Sequence, residues 1–291
     1  MGDYKFYWYI AAWVDLLGQS QELAQFHDIP TSETQKREFI EKARRTFGVV
    51  RRFRDRMLEL QTILSKPLSL PSATMAVLSK DDLKLFKRYS SPNVDIKFLS
   101  DSALLTICLH EGEKWSPLLS IDFLLSQLAI TTLAMLAHST PVRGGMAIGI
   151  CSKLAEGDLY GKAVSRAHEL EKAAGYPRIM IDAEFPEYIE WYQSRPASGR
   201  EKRLIDHHIE SIKAALRRDE DGLALSYLDR VRKIRHDEEH KRSFQEVTTL
   251  ASDFIAREIE KFRSAGDTKL LPRYEKLKAY FEQEGCWKPS I

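Results

Sequence analysis

At 291 residues the chain is long enough for one large core or for a domain with an appendage. Its 43% hydrophobic and 30% charged residues describe an ordinary globular protein. A balance of 44 Lys+Arg against 42 Asp+Glu, net +2, gives no argument for nucleic acid or an acidic membrane surface as a partner.

The start, "MGDYKFYWYIAAWVDLLG", lacks the basic head, unbroken apolar run and small-residue cleavage site of a signal peptide. Cys108, Cys151 and Cys286 are odd in number and lack metal-ligand spacing, which points to a reducing compartment. A cytoplasmic location is therefore expected. Residues 4–16 alternate, with Phe6, Trp8, Ile10, Ala12 and Val14 on one face and Tyr7, Tyr9, Ala11 and Trp13 on the other. Two apolar faces predict a central strand, and Asp15 stands where it ends.

Next, "TSETQ" offers a capping box, Ser32 with Gln35, for a long helix. Phe39, Ala43, Phe47, Val50, Phe53, Met57, Leu60 and Leu64 recur at three and four, predicting one buried face. Arg44, Arg45, Arg51, Arg52 and Arg56 form the opposite, solvated face. Beyond Pro67 and Pro71 a loop-rich stretch leads to a short helix at 80–89. "IKFLSDSALLTICLH" (96–110) then reads as a strand hairpin, with Ile96 and Phe98 before the turn and Ala103, Leu105, Ile107 and Leu109 after it. Asp101 sits at its tip, where turn chemistry alone could account for it.

The most apolar stretch, "LLSIDFLLSQLAITTLAMLAH", is interrupted by Asp122, Ser126, Gln127, Thr131 and Thr132, which favours a buried helix over a membrane span. "PVRGGMAIGICSKL" reads as a strand entering a hairpin. "GKAVSRAHELEKAAG" is an amphipathic helix with Ala163, Ala167, Leu170 and Ala174 inward and Gly175 as its stop. "PRIMID" is a short strand. The order is a βαββαβ-type α+β layout, with helices packed on an antiparallel sheet.

Composition shifts at "QSRPASGREKR" (193–203), which divides the chain into a domain at 1–197 and an extension at 198–291. The extension reads as all-helical, over 203–217, 222–235, 237–263 and 268–283. Within it "HDEEH" puts His236 and His240 one helical turn apart, but Asp237 stands where a zincin has glutamate and no third ligand is visible. His207 and His208 of "DHHIE" are adjacent rather than spaced. Both stretches read as charged helix.

Asp15 and Asp101 close neighbouring strands, so their carboxylates could meet, and hard oxygen ligands suit Mg²⁺ or Mn²⁺ holding phosphates. In order, "VDLLGQS", "IKFLSDS", "VRGGMAIG" and "DLYGKAVSRAHELEKA" resemble the class III nucleotidyl cyclases over residues 4–185. The resemblance implies that Asp15, with Leu16 beside it, and Asp101 bind two metal ions per site. It implies that Lys97, four residues before Asp101, and Asp158, three before the helix-entry glycine Gly161, read the base. Arg143 leads the strand that resembles the family's glycine-rich one. At the positions of the family's transition-state asparagine and arginine stand Ser165 and Glu169, which supply no cation. Arg143 and Arg166 are the candidates to supply that charge.

The chain is most similar in this respect to the pyrimidine cyclases of Pycsar antiphage systems. That resemblance implies a homodimer with composite sites. It would convert CTP or UTP to the 3′,5′-cyclic monophosphate and pyrophosphate, and the product would act on a downstream effector. Lys97 donates and Asp158 accepts, a pair that matches the acceptor–donor edge of cytosine or adenine and not that of uracil or guanine. Adenylate cyclisation, and a cyclase-fold module that binds without turnover, remain as alternatives.

Overall fold

Burial on both faces of one strand organises the molecule. In a computed structural model, which describes residues 5–19, 23–24, 26, 28–66, 78–110, 116–154, 158–197, 199–234 and 237–290, β1 (Phe6–Leu16) pairs antiparallel with two strands. These are β3 (Ser102–Cys108) on one side and β4 (Val142–Lys153) on the other. Ile10, Ala11 and Ala12 at its centre are fully buried, as two apolar faces demand. β2 (Asp95–Leu99) forms the expected hairpin with β3, and β5 (Leu159–Gly161) folds back on β4. β6 (Ile179–Ile181) runs parallel to β4.

The βαββαβ helices divide between the faces. Against Ile10, Ala12, Val14 and Leu16 pack α1 (Glu33–Leu64) and α3 (Pro117–Ala137), with α2 (Lys80–Arg88) between them in sequence. α3 is long and apolar enough to cross a membrane, yet 72% of its most apolar window is buried, so it serves here as the core helix. Its polar interruptions are satisfied internally: Gln127 Nε2 donates to the Met57 carbonyl of α1 at 3.0 Å. The Ser32–Gln35 capping box forms as expected. The buried face of α1 is shorter than its periodicity predicts. Phe53, Met57 and Leu60 are buried, but Phe39 and Ala43 are half-buried and Phe47 is 56% exposed.

On the opposite face lies α4 (Lys162–Ala173), whose Ala163, Ala167 and Leu170 meet Tyr9, Ala11 and Ala147. The approach is close because β4 has glycine under it. A Cβ on Gly145 would stand 2.2 Å from the Ala167 carbonyl oxygen, and one on Gly149 would stand 2.9 Å from the Ala163 nitrogen.

The extension is not all-helical. α5 (Glu184–Gln193) and α6 (Gly199–Ala214) are followed by a hairpin, β7 (Leu216–Asp219) and β8 (Gly222–Leu225). β8 pairs with β6 through Met180 and Ala224, so the sheet continues into the extension. Its order is β2-β3-β1-β4-β6-β8-β7, eight strands among the described residues with β5 beside β4. The expected helices at 203–217 and 222–235 therefore give way to α6, the hairpin and a short α7 (Tyr227–Arg232). Four-residue strands are too short to carry a readable alternation. α8 (Glu238–Ser264) and α9 (Leu271–Gln283) fall where the sequence predicts them.

Candidate functional site

The alternation of β1 sets which way Asp15 faces. It shares a face with Tyr9, Ala11 and Trp13, on the α4 side of the sheet, and is flanked in register by Ser102 on β3 and Arg143 on β4. Ser102 Oγ donates to Asp15 Oδ1 at 2.7 Å. Burial pushes the Asp15 carboxyl above its ordinary range, and the charges of Asp101 and Glu171 push the same way. The hydrogen bond from Ser102 and the charge of Arg143 oppose them without prevailing. The hairpin tip is drawn to the end of β1 by a backbone bond, Leu16 N–H to the Asp101 carbonyl at 3.3 Å. The Leu16 side chain itself is buried in the core.

Among the described residues no three His, Cys, Asp or Glu side chains form a metal cluster. Two carboxylates nevertheless fit a magnesium-type ion, which takes one or two from protein and completes its shell with water and substrate phosphate. The residues that could hold it are Asp15, whose Oδ1 takes Ser102 Oγ and whose Oδ2 is left, among the described residues, for another partner, and Asp101 on the hairpin tip bonded to Leu16.

Arg143 donates through Nε to Oε1 of Glu171, whose side chain is only 3% exposed. A carboxylate so removed from water needs such a partner. Glu171 thereby fixes Arg143 beside Asp15, an arrangement the sequence reading missed. Its signal was there: Glu171 falls one helical turn after Ala167, on the inward face of α4, where a charged residue is out of place.

Lys97 and Asp158, 61 residues apart, are brought together, with Lys97 Nζ donating to Asp158 Oδ1 at 2.5 Å. A second rung, Lys153 Nζ to Asp95 Oδ2 at 3.0 Å, holds the β4–β5 hairpin to β2 in the same way. Between the rungs lies a cavity of about 270 Å³ floored by Leu104 and Leu159. Gly161 is the N-cap of α4, with φ +149°, and a Cβ there would meet the Ile150 carbonyl oxygen at 2.4 Å. The glycine at the strand-to-helix junction is thus required sterically.

Ser165 and Glu169 are exposed on α4. Arg166 engages Glu169 at 3.3 Å and approaches the buried Asp182 at 3.9 Å. Of the histidine motifs, His236 lies outside the described residues. His240 bonds the Val231 carbonyl through Nε2 at 2.8 Å, and Asp237 caps α8. His208 bonds Asp122 on α3 through Nδ1 at 3.2 Å.

No protein-family model matches the sequence, and no curated protein does. A solved bacterial light-regulated adenylyl cyclase is similar over 86% of this chain and 59% of that one, at 10% identity and a TM-score of 0.37. The chain thus spans about three-fifths of that protein's length. A likeness at that TM-score supports neither a fold family nor an activity.

Proposed function

We propose that the chain is a class III-like nucleotidyl cyclase that converts a pyrimidine nucleoside triphosphate, CTP before UTP, to its 3′,5′-cyclic monophosphate and pyrophosphate. The observation that supports this reading is geometric: the β2–β3 hairpin tip carrying Asp101 is bonded to the end of β1 through Leu16 N–H, and Ser102, next to Asp101, bonds the Asp15 carboxylate. Asp15 and Asp101 would hold two Mg²⁺ or Mn²⁺ ions. Such ions, when bound, acidify the attacking ribose 3′-hydroxyl and neutralise the leaving pyrophosphate. Ser102 orients the Asp15 carboxylate, and Glu171 aims Arg143 beside it, where a guanidinium can meet a phosphate oxygen.

Lys97 keeps ammonium protons beyond the one given to Asp158, and Asp158 keeps a second oxygen. A donor beside an acceptor complements the pairing edge of cytosine. In a homodimer, the aspartates of one protomer would act on a nucleotide whose base meets Lys97 and Asp158 of the partner subunit. An antiphage signal read by a cyclic-nucleotide effector is the role this product would serve, as in the Pycsar systems the sequence resembles.

A second reading has its own observation. With Ser165 and Glu169 exposed and no cation at either position, a nucleotide-binding module without turnover is the alternative. Incubation with Mn²⁺ or Mg²⁺ and each of ATP, GTP, CTP and UTP, with products identified by mass spectrometry, separates the readings. A cyclic pyrimidine nucleotide supports the first, cyclic AMP would move the assignment to an adenylate cyclase, and nucleotide binding without product favours the module.

A further inference from the structure

A cavity of about 390 Å³ opens between α1 and the tip of the β2–β3 hairpin, and one of its walls is Asp101. Arg51, Arg54 and Asp55, three and four apart on one side of α1, line it opposite Asp101, so two guanidinium groups stand against two carboxylates before any ion binds. Arg54 Nη2 donates to the Ser100 carbonyl at 2.5 Å, and its guanidinium lies over the Phe98 ring at 5.4 Å. Ser100 has φ +57°, a backbone state that side chains rarely adopt, so Arg54 braces the tip that presents Asp101.

Arg51 has weaker ties. Its contact with Asp55 is 3.5 Å long, with side chains 85% and 66% exposed, so water competes for both and the arginine is easily redirected. Two polar atoms at the cavity have no hydrogen-bond partner among the described residues: Arg54 Nε and Oε1 of Gln19, which is 6% exposed. Buried polar atoms ordinarily find partners, and an amide can turn to offer its N–H instead.

We propose that this cavity receives the polyphosphate tail of the nucleotide, with Arg51 and Arg54 supplying the cationic charge that Ser165 and Glu169 do not. The inference takes its ligand from the cyclase reading. Planar guanidinium groups suit phosphate oxygens, and a tail placed here would lie against Asp101 and the ions it holds. Arg54 has a double duty, bracing the hairpin and facing the ligand, whereas Arg51 is free to close on it.

The probe is inorganic tripolyphosphate, titrated calorimetrically with and without Mg²⁺ into the full chain and into Arg51→Gln, Arg54→Lys and Arg45→Gln. Arg51→Gln should weaken binding about tenfold. Arg54→Lys, which keeps charge but loses the fork, should weaken it as well. Arg45→Gln, an exposed change elsewhere on α1, controls for bulk charge and should leave affinity unchanged. Because Arg51 is exposed its loss does not threaten folding, and thermal melting checks Arg54→Lys. No binding by the wild-type protein overturns the proposal, as does Arg51→Gln affinity within about twofold of wild type. Turnover is read separately. Tripolyphosphate binding that depends on Arg51 in a protein forming no cyclic product keeps the cavity and removes the reaction. A cyclic product with unaltered Arg51→Gln binding keeps the reaction and removes the cavity.

Discussion

Asp15 is held in a form that costs the fold something. Burial first, then the charges of Asp101 and Glu171, raise its pKa above the ordinary value, so the native state holds this proton more tightly than the unfolded chain does. Stability from this group is therefore fully present below the unfolded pKa and is lost as pH rises through the folded pKa. Asp15→Asn keeps an acceptor for Ser102 Oγ and removes the charge. It should raise the melting temperature at neutral pH without divalent cation, and it should remove the upward shift that Mn²⁺ is expected to give the wild-type protein if Asp15 is a ligand. A lower melting temperature for the variant, or a retained Mn²⁺ shift, would count against Asp15 as a metal ligand. Destabilisation traded for binding is what a functional carboxylate at a strand end would show.

Elements carry the next level of constraint. α4 lies directly on β4 because Gly145 and Gly149 leave room for its backbone, and that docking brings Glu171 to Arg143. Gly145→Ala would place a Cβ 2.2 Å from the Ala167 carbonyl and 2.5 Å from the Leu170 Cβ, so the helix must lift. The expected cost is at least about 2 kcal/mol in urea unfolding, with a fall in any activity that depends on Arg143. A stability change near zero would mean that α4 is not seated this closely. Much of this level was legible in sequence. Period-two alternation marked β1 and β3, and the inward alanines marked α4. α1 was legible only in part. At 32 residues it runs about 48 Å, and the apolar stripe of its first half meets Phe26, at 5.1 Å from Phe39 and 6.1 Å from Phe47, rather than the sheet core. The β7–β8 hairpin escaped notice because "LRRD" and "GLAL" are short and lie between charged helices. Gly222, at φ +125°, was the one available clue to its turn.

Across the whole molecule, the extension is fastened to the core helix by a polar cluster that no local pattern announces. Asp122 on α3 takes Arg230 Nη2 at 2.6 Å, Ser211 Oγ at 2.8 Å and His208 Nδ1 at 3.2 Å, joining α3 to α6 and α7. Burial pushes the Asp122 carboxyl up, but its hydrogen bonds with His208 and Ser211 and the charge of Arg230 outweigh that and hold it below the ordinary range. Its contribution is therefore present above the unfolded pKa and is lost as pH falls through the folded one. Asp122→Ala should cost about 3 kcal/mol at neutral pH, since Arg230, largely removed from water, keeps Ser126 and Ser211 but loses its counter-ion. A loss well below this, in equilibrium denaturation, would mean that the cluster is not what joins extension and core. Of the candidate site, Asp15 and Asp101 were legible because they stand at a strand end and a hairpin tip where a carboxylate is conspicuous, whereas Lys97 and Asp158 were named only through the resemblance to the class III cyclases. Glu171 and Arg54 were not legible, because their partners lie 28 and 46 residues away. Whether Asp101 and Asp15 hold metals for nucleotide cyclisation is decided by product formation from wild type and Asp101→Ala with CTP and Mn²⁺. If Asp101 holds metal, the wild-type protein forms cyclic CMP and the variant at least about 10²-fold less, with its fold intact by circular dichroism. Equal product from the two proteins would contradict that role.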